Sequence, residues 1–156
     1  MLLSGQVSCK FSHRTNKIKC NNQECDVMTS DTPNGKYKLG AVGKNQLLNI
    51  NWVNLYPKKK SGNDEYWDYY CENPDTRRSK IALHPGSITL GCVTVTNQGC
   101  WKKLEQLFRK QSSTSIKVTG VRLSGYNGGT FSCDGNWANK QILKTVSVIG
   151  SLEVTE

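Results

Sequence analysis

The sequence predicts a mainly β domain of α+β type carrying one substantial helix. Three observations point there. Apolar and polar residues alternate in short stretches along the chain, as in Leu48-Asn49-Ile50-Asn51-Trp52, the period of a half-buried strand. Fourteen glycines among 156 residues favour turns over long helices. Only residues 100 to 110, C-W-K-K-L-E-Q-L-F-R-K, place apolar side chains (Trp101, Leu104, Leu107, Phe108) on one helical face with basic residues opposite.

Taken in order, Asp31-Thr32-Pro33-Asn34-Gly35 reads as a turn into a strand at Lys36-Tyr37-Lys38-Leu39. Residues 48 to 52 make the next strand, with asparagines on its polar face, and Lys58-Lys59-Lys60 before Ser61-Gly62 reads as a solvated turn. Asn63 to Tyr70, N-D-E-Y-W-D-Y-Y, holds four aromatics and three acids in eight residues. It is either a flap facing substrate or a surface hairpin whose aromatics pack down. Asp64, Glu65 and Asp68 lack the spacing of a calcium loop. The segment 81 to 95 alternates on both sides of Pro85-Gly86, which suggests two strands joined by a turn there. In the helix that follows, Asn97 is the expected N-cap, and Arg109 and Lys110 suit the negative end of the dipole. Ile116 to Val118 and Val121 to Leu123 form strands with Gly120 as a candidate bulge, Tyr126-Asn127-Gly128-Gly129 is a turn, and Thr145 to Ile149 is a late strand. No internal repeat or linker divides the chain, so residues 1 to 156 are read as one domain.

Twenty-one Lys and Arg against 12 Asp and Glu give a net charge of +9, which favours an anionic partner (nucleic acid, acidic lipid or an anionic cell wall) or, as the bland reading, serves solubility alone. No recognisable nucleic-acid-binding pattern accompanies the charge, so nucleic acid is not the expected partner. No apolar run is long enough to span a membrane. The first residues, M-L-L-S-G-Q-V-S-C-K-F, lack the charged and apolar regions of a secretory signal.

Seven cysteines are many for a reducing compartment. If Cys92 is a nucleophile, Cys9, Cys20, Cys25, Cys71, Cys100 and Cys133 remain for disulfides of open connectivity. Cys9 and Cys20 lie symmetrically about Arg14-Thr15, as across a hairpin. The competing reading is a zinc site from Cys9, His13, Cys20 and Cys25, although no C-x2-C pair is present.

The stretch Ile81 to Val95, I-A-L-H-P-G-S-I-T-L-G-C-V-T-V, sets His84 eight positions before Cys92. An imidazole beside a thiol raises the fraction of thiolate, the reactive form. Gly91 permits close backbone approach, Ser87 and Thr89 offer short hydroxyls, and the amides at Gly91-Cys92 are a candidate oxyanion site. The bland alternative is a structural histidine and a packed, inert cysteine.

This segment resembles the L,D-transpeptidase (YkuD-like) motif, in which a histidine precedes an [S/T]-x-G-C cysteine, here His84 and Thr89-Leu90-Gly91-Cys92. The short gap and the His-Pro-Gly-Ser start look most like the compact branch among type VI-secreted effectors. Thr32-Pro33-Asn34-Gly35-Lys36-Tyr37 is similar to that branch's P-x-G-x-Y element, so the resemblance spans roughly residues 30 to 110. Leu90 stands where many members carry histidine, and Thr94 where many place an arginine.

The resemblance implies an L,D-transpeptidase-like β-sandwich or barrel in which residues 111 to 156 form a C-terminal extension. It implies a cysteine-dependent L,D-transpeptidase or L,D-carboxypeptidase acting on peptidoglycan stems. Catalysis would fall to Cys92, His84, Gly91 and Thr89, and substrate binding to Tyr37, Ser87 and Trp67, with no metal and no cofactor. The implied setting is an antibacterial toxin, made in a bacterial cytoplasm and delivered to a target periplasm. Its implied partners, besides peptidoglycan stem peptides, are a cognate immunity protein and secretion machinery. Two rival classes stand beside it: a peptidoglycan cysteine endopeptidase or amidase, and a non-catalytic, disulfide-stapled basic binding module.

Overall fold

Alternate burial builds the first three strands. β1 (Val7–Ser12), β2 (Lys17–Cys20) and β3 (Gln23–Asp26) bury Val7, Cys9, Phe11, Ile18, Cys20 and Cys25 and turn Lys10, Lys17, Lys19 and Glu24 outward. The computed structural model describes residues 5–45, 48–60, 64–87, 91–122, 132–134 and 138–156. The remaining elements are β4 (Gly35–Asn45), β5 (Ile50–Pro57), β6 (Ala82–Pro85), β7 (Val93–Val95), α1 (Gln98–Arg109), β8 (Thr114–Val121) and β9 (Gln141–Thr155).

All nine strands join one sheet in the order β3-β2-β1-β9-β4-β5-β6-β7, with β8 paired to β9 off this path. A bridge between Val27, just beyond β3, and Val95 of β7 brings the two ends together into a nearly closed barrel. Closure hides the edges that an open sheet would expose. The fold is therefore mainly β with one helix, as the sequence predicts.

The C-terminal stretch is central to this sheet rather than appended to it. The first half of β9 pairs with β8, from Gln141 to Val148, and the second half pairs with β1, from Gly150 to Thr155. The opposite edge of β9 holds β4. At the handover a Cβ on Gly150 would overlap the Val7 carbonyl, so only glycine lets β1 and β9 meet. Gly150→Ala is expected to cost at least about 3 kcal/mol, read as a lower urea midpoint. An unchanged midpoint would contradict this β1–β9 register.

Gly120 is not a bulge. β8 and β9 pair through eight consecutive positions without a shift, Gly120 opposite Ile142. The position is tight instead: an added Cβ would stand 2.8 Å from Lys144 Cδ and 3.0 Å from Asp68 Oδ2, so those side chains would have to shift. Those two side chains form a 2.8 Å ion pair across it. The expected strand at 48 to 52 also begins later, at Ile50, because Asn49 turns through a left-handed φ of 56° and leaves Leu48 exposed. Leu123, the end of the expected second strand there, and the turn at 126 to 129 lie outside the described residues.

The helix forms where its periodicity predicts. Asn97 Oδ1 accepts the Cys100 amide at 2.8 Å, and Trp101, Leu104 and Phe108 are buried in the main core. Three disulfides join Cys9 to Cys20 across the β1–β2 hairpin, Cys25 to Cys100, and Cys71 to Cys133. The zinc reading is thereby overturned, since its three cysteines are consumed in disulfides. His13 Nε2 instead lies 2.8 Å from the Thr32 carbonyl. Among the described residues no helix is long and apolar enough to cross a membrane.

Candidate functional site

Residues 82 to 95 do not form the expected hairpin. β6 and β7 run parallel, with Leu83 opposite Val93, His84 opposite Thr94 and Pro85 opposite Val95. Parallel neighbours usually require a crossover of a dozen or more residues. Here residues 86 to 92 suffice because the strands have only four and three residues. At about 3.3 Å per residue the return path is on the order of 10 Å. Gly86 and Gly91, at φ of 130° and 92°, supply backbone angles that other residues rarely adopt.

Parallel pairing carries the start of β7 back beside the start of β6. Cys92 thus lies level with Ala82, and both pack in one cluster with Tyr56, Tyr66 and Tyr69. Thr94, two positions after Cys92, takes the place facing His84.

His84 is only 4% exposed. Its Nδ1 lies 2.8 Å from the Pro85 carbonyl, which can only accept, so Nδ1 carries the proton. Nε2 is then the unprotonated nitrogen, and the Thr94 hydroxyl donates to it at 3.3 Å. Burial holds the imidazole pKa below its ordinary 6.5, with the Pro85 bond acting weakly the other way. The ring stacks on Trp52 at 4.5 Å with a 2° interplanar angle. Trp52 Nε1 in turn donates to the Tyr69 hydroxyl at 3.2 Å. The result is a neutral imidazole with a basic nitrogen, locked in orientation from both sides.

Cys92 is 6% exposed and carries a thiol, while the other six cysteines pair off. Its Sγ donates to the Lys80 carbonyl at 3.7 Å. Burial pushes the neighbouring Tyr69 phenol up; the Trp52 bond opposes this and Cys92 adds to it, so Tyr69 keeps its O–H. Short contacts link the imidazole, indole and phenol, and Cys92 packs in the same cluster as Tyr69.

Gly91 is braced by side chains from two distant segments. The buried Thr32 hydroxyl donates to its carbonyl at 2.8 Å. Carbonyl and amide of a trans peptide point in opposite directions, so this bond also sets the Cys92 N–H on the face away from Thr32. On the other side, an added Cβ would meet Arg78 Nη1 at 3.1 Å and Ile81 Cδ1 at 3.2 Å. Arg78 is ion-paired with Asp31.

The remaining expected site residues are scattered. Ser87 is exposed in the bend after Gly86, and Thr89 and Leu90 lie outside the described residues. Tyr37 is buried in the main core and its hydroxyl donates to the Pro33 carbonyl at 2.6 Å. Trp67 packs in a separate cluster with Cys71, Val121 and Cys133, under Lys59 Nζ at 4.5 Å from the ring centroid. The described part of the aromatic segment is no flap. Tyr66 bridges to Lys58 and Trp67 to Thr119, which buries Tyr66, Trp67 and Tyr69 against the barrel. Apolar area draws these rings inward despite the acids between them.

The structure therefore relates Cys92 to His84 through Tyr69, Trp52 and Thr94, and brings Thr32 and Arg78 to the neighbouring Gly91. Thr94 has a sequence signal, since residues two apart share a strand face. The others come from remote segments and carry none. Comparison with known protein families, curated proteins and solved structures finds no match.

Proposed function

We propose that the chain is a cysteine-dependent acyl transferase or hydrolase of peptidoglycan stems, of the L,D-transpeptidase and L,D-carboxypeptidase type. The observation that carries this reading is the thiol kept by Cys92 two positions before Thr94, the residue that faces a neutral, oriented His84. Three disulfides suit an oxidising compartment such as a periplasm. The +9 charge suits an anionic wall. Delivery as an antibacterial toxin, with an immunity partner and secretion machinery, belongs to the same proposal.

In the reaction, the Cys92 proton passes to His84 Nε2 once the thiol leaves the Lys80 carbonyl and Thr94 yields its hydrogen bond. The thiolate adds to the carbonyl between the L-centre of the stem and the following D-residue. The amide at Cys92, oriented through Thr32, supports the oxyanion. As the C–N bond breaks, the imidazolium returns the proton to the departing amine, leaving a thioester. An amine from a second stem then gives a cross-link, or water gives a trimmed stem, and the thiol is regenerated.

Incubation with purified tetrapeptide-stem muropeptides tests this by mass. Release of terminal D-alanine, with or without cross-linked product, is the expected result. Release of the whole peptide from glycan would indicate an amidase, and a cut inside a cross-bridge an endopeptidase. The deep burial of both Cys92 and His84 favours a second reading, a non-catalytic disulfide-stapled module that binds anionic wall polymer. Co-sedimentation with intact sacculi in the absence of any cleavage would select it.

A further inference from the structure

We propose that Arg78 is the receptor for a carboxylate of the acyl donor, and that Asp31 stands in for that carboxylate in the free protein. This rests on Cys92 being the nucleophile. The guanidinium reaches the nucleophile's own loop: its Nη1 comes within 3.1 Å of the point where a Gly91 side chain would begin, and Asp31 Oδ1 within 3.6 Å. Gly91 immediately precedes Cys92, so the pair stands against the residue next to the nucleophile.

Arg78 is held at its base and open at its head. The Asn73 amide donates to its carbonyl at 2.8 Å, and its own amide donates to the Thr76 hydroxyl at 3.3 Å. Its side chain is 37% exposed. Asp31 is anchored next to Thr32, whose hydroxyl holds the Gly91 carbonyl, so the ion pair and the nucleophile loop share one brace. Of the other cations in this segment, Arg77 pairs with Glu72 at 3.3 Å and Lys80 points its ammonium over the Tyr70 ring at 5.8 Å.

The energetics favour exchange. Asp31 is 65% exposed, and a pair that open contributes little to stability. Replacing one carboxylate with another on the same guanidinium costs little, and arginine suits a two-pronged grip on the incoming one. A neutral residue at this end of the donor has no such exchange partner. The donor is thus a peptide with a free carboxylate near the bond that breaks. An amidated end would be discriminated against.

Alkylation of Cys92 by anionic iodoacetate and neutral iodoacetamide reads this without any peptide. In the intact protein iodoacetate is expected to be favoured, and Arg78→Gln is expected to lower the iodoacetate-to-iodoacetamide rate ratio about tenfold or more. Arg78→Lys should recover part of the ratio, and Asp31→Asn should raise it. A ratio unchanged in Arg78→Gln overturns the proposal, as does an equal fall in both rates, which would make Arg78 only a brace for the loop. If D-alanine release persists in either case, the Cys92 reading stands and only Arg78 is removed. Failure of both reagents to modify the native thiol, when the unfolded chain reacts, overturns both. Donors amidated singly at the terminal or at a side-chain carboxylate then assign the source. The relevant one raises KM in the unsubstituted protein but not in Arg78→Gln.

Discussion

Cys92→Ser is expected to lower D-alanine release from tetrapeptide stems by about 10³-fold or more while leaving the fold in place. Serine is nearly the same size, and its hydroxyl inherits the Lys80 carbonyl as acceptor, so the expected stability change is about 1 kcal/mol or less. The loss would come from the nucleophile itself: an alcohol is far harder to ionise than a thiol, and the neutral imidazole of His84 does not compensate. Retained turnover in this variant would sink the nucleophile. The pH profile separates the base from the thiol. Burial lowers the His84 pKa below 6.5, so kcat/KM should rise with pH through a value below 6.5, and His84→Gln should remove that limb along with most activity. Stability has the same sign. Below pH 6.5 the unfolded chain protonates this imidazole while the native one resists. The contribution of His84 is therefore present above 6.5 and lost as pH falls toward its lower native pKa. A protein that is more stable at pH 5 than at pH 7 in His84-dependent fashion would contradict the buried neutral ring.

Removing the Cys25–Cys100 disulfide by the double substitution Cys25→Ser with Cys100→Ser is expected to be the costliest of the three disulfide removals. The pair is separated by 75 residues, and the chain-entropy relation gives about 4 kcal/mol for a loop of that length. For a chain of this size that is roughly an 8–16 °C fall in thermal midpoint. The same change at Cys9–Cys20, separated by 11 residues and already aligned by the β1–β2 hairpin, should cost about 3 kcal/mol at most. The long link has a second role. It ties the first turn of α1 to β3, at the end where Val27 meets Val95 and the barrel closes. Since β7 leads directly from Cys92, loosening this end is expected to reduce turnover of the remaining folded protein as well. Equal midpoints for the two double variants would contradict the assignment. A thiol titration of the unreduced, unfolded chain should find a single reactive thiol per molecule, at Cys92.

Most of the barrel is legible in the sequence because its strands alternate with period two and its one helix repeats at 3.6, and neither signal needs a partner to be seen. α1 and its Asn97 cap follow from local residues alone. The Cys9–Cys20 link follows from hairpin symmetry. The misreadings lie where a remote segment decides. Gly120 reads as a bulge until the Asp68–Lys144 pair is laid over it. Pro85-Gly86 reads as a hairpin turn because a local pattern cannot distinguish a strand that returns antiparallel from one that crosses back to lie parallel.

From its sequence alone, this protein is a mainly β chain with one amphipathic helix, rich in cysteine and strongly basic, with a histidine and a cysteine in one short segment. These are properties of composition and local period, and each residue carries its share independently. Tertiary structure alone decides which atoms of that segment meet. It places Thr94, not Cys92, against His84 Nε2, leaves the Cys92 thiol on the Lys80 carbonyl, and brings Thr32 and Arg78 to Gly91 from far along the chain. The reason is physical: hydrogen bonds and ion pairs act over about 3 Å in space, whatever the separation in sequence, and only closure of the sheet brings those distances about.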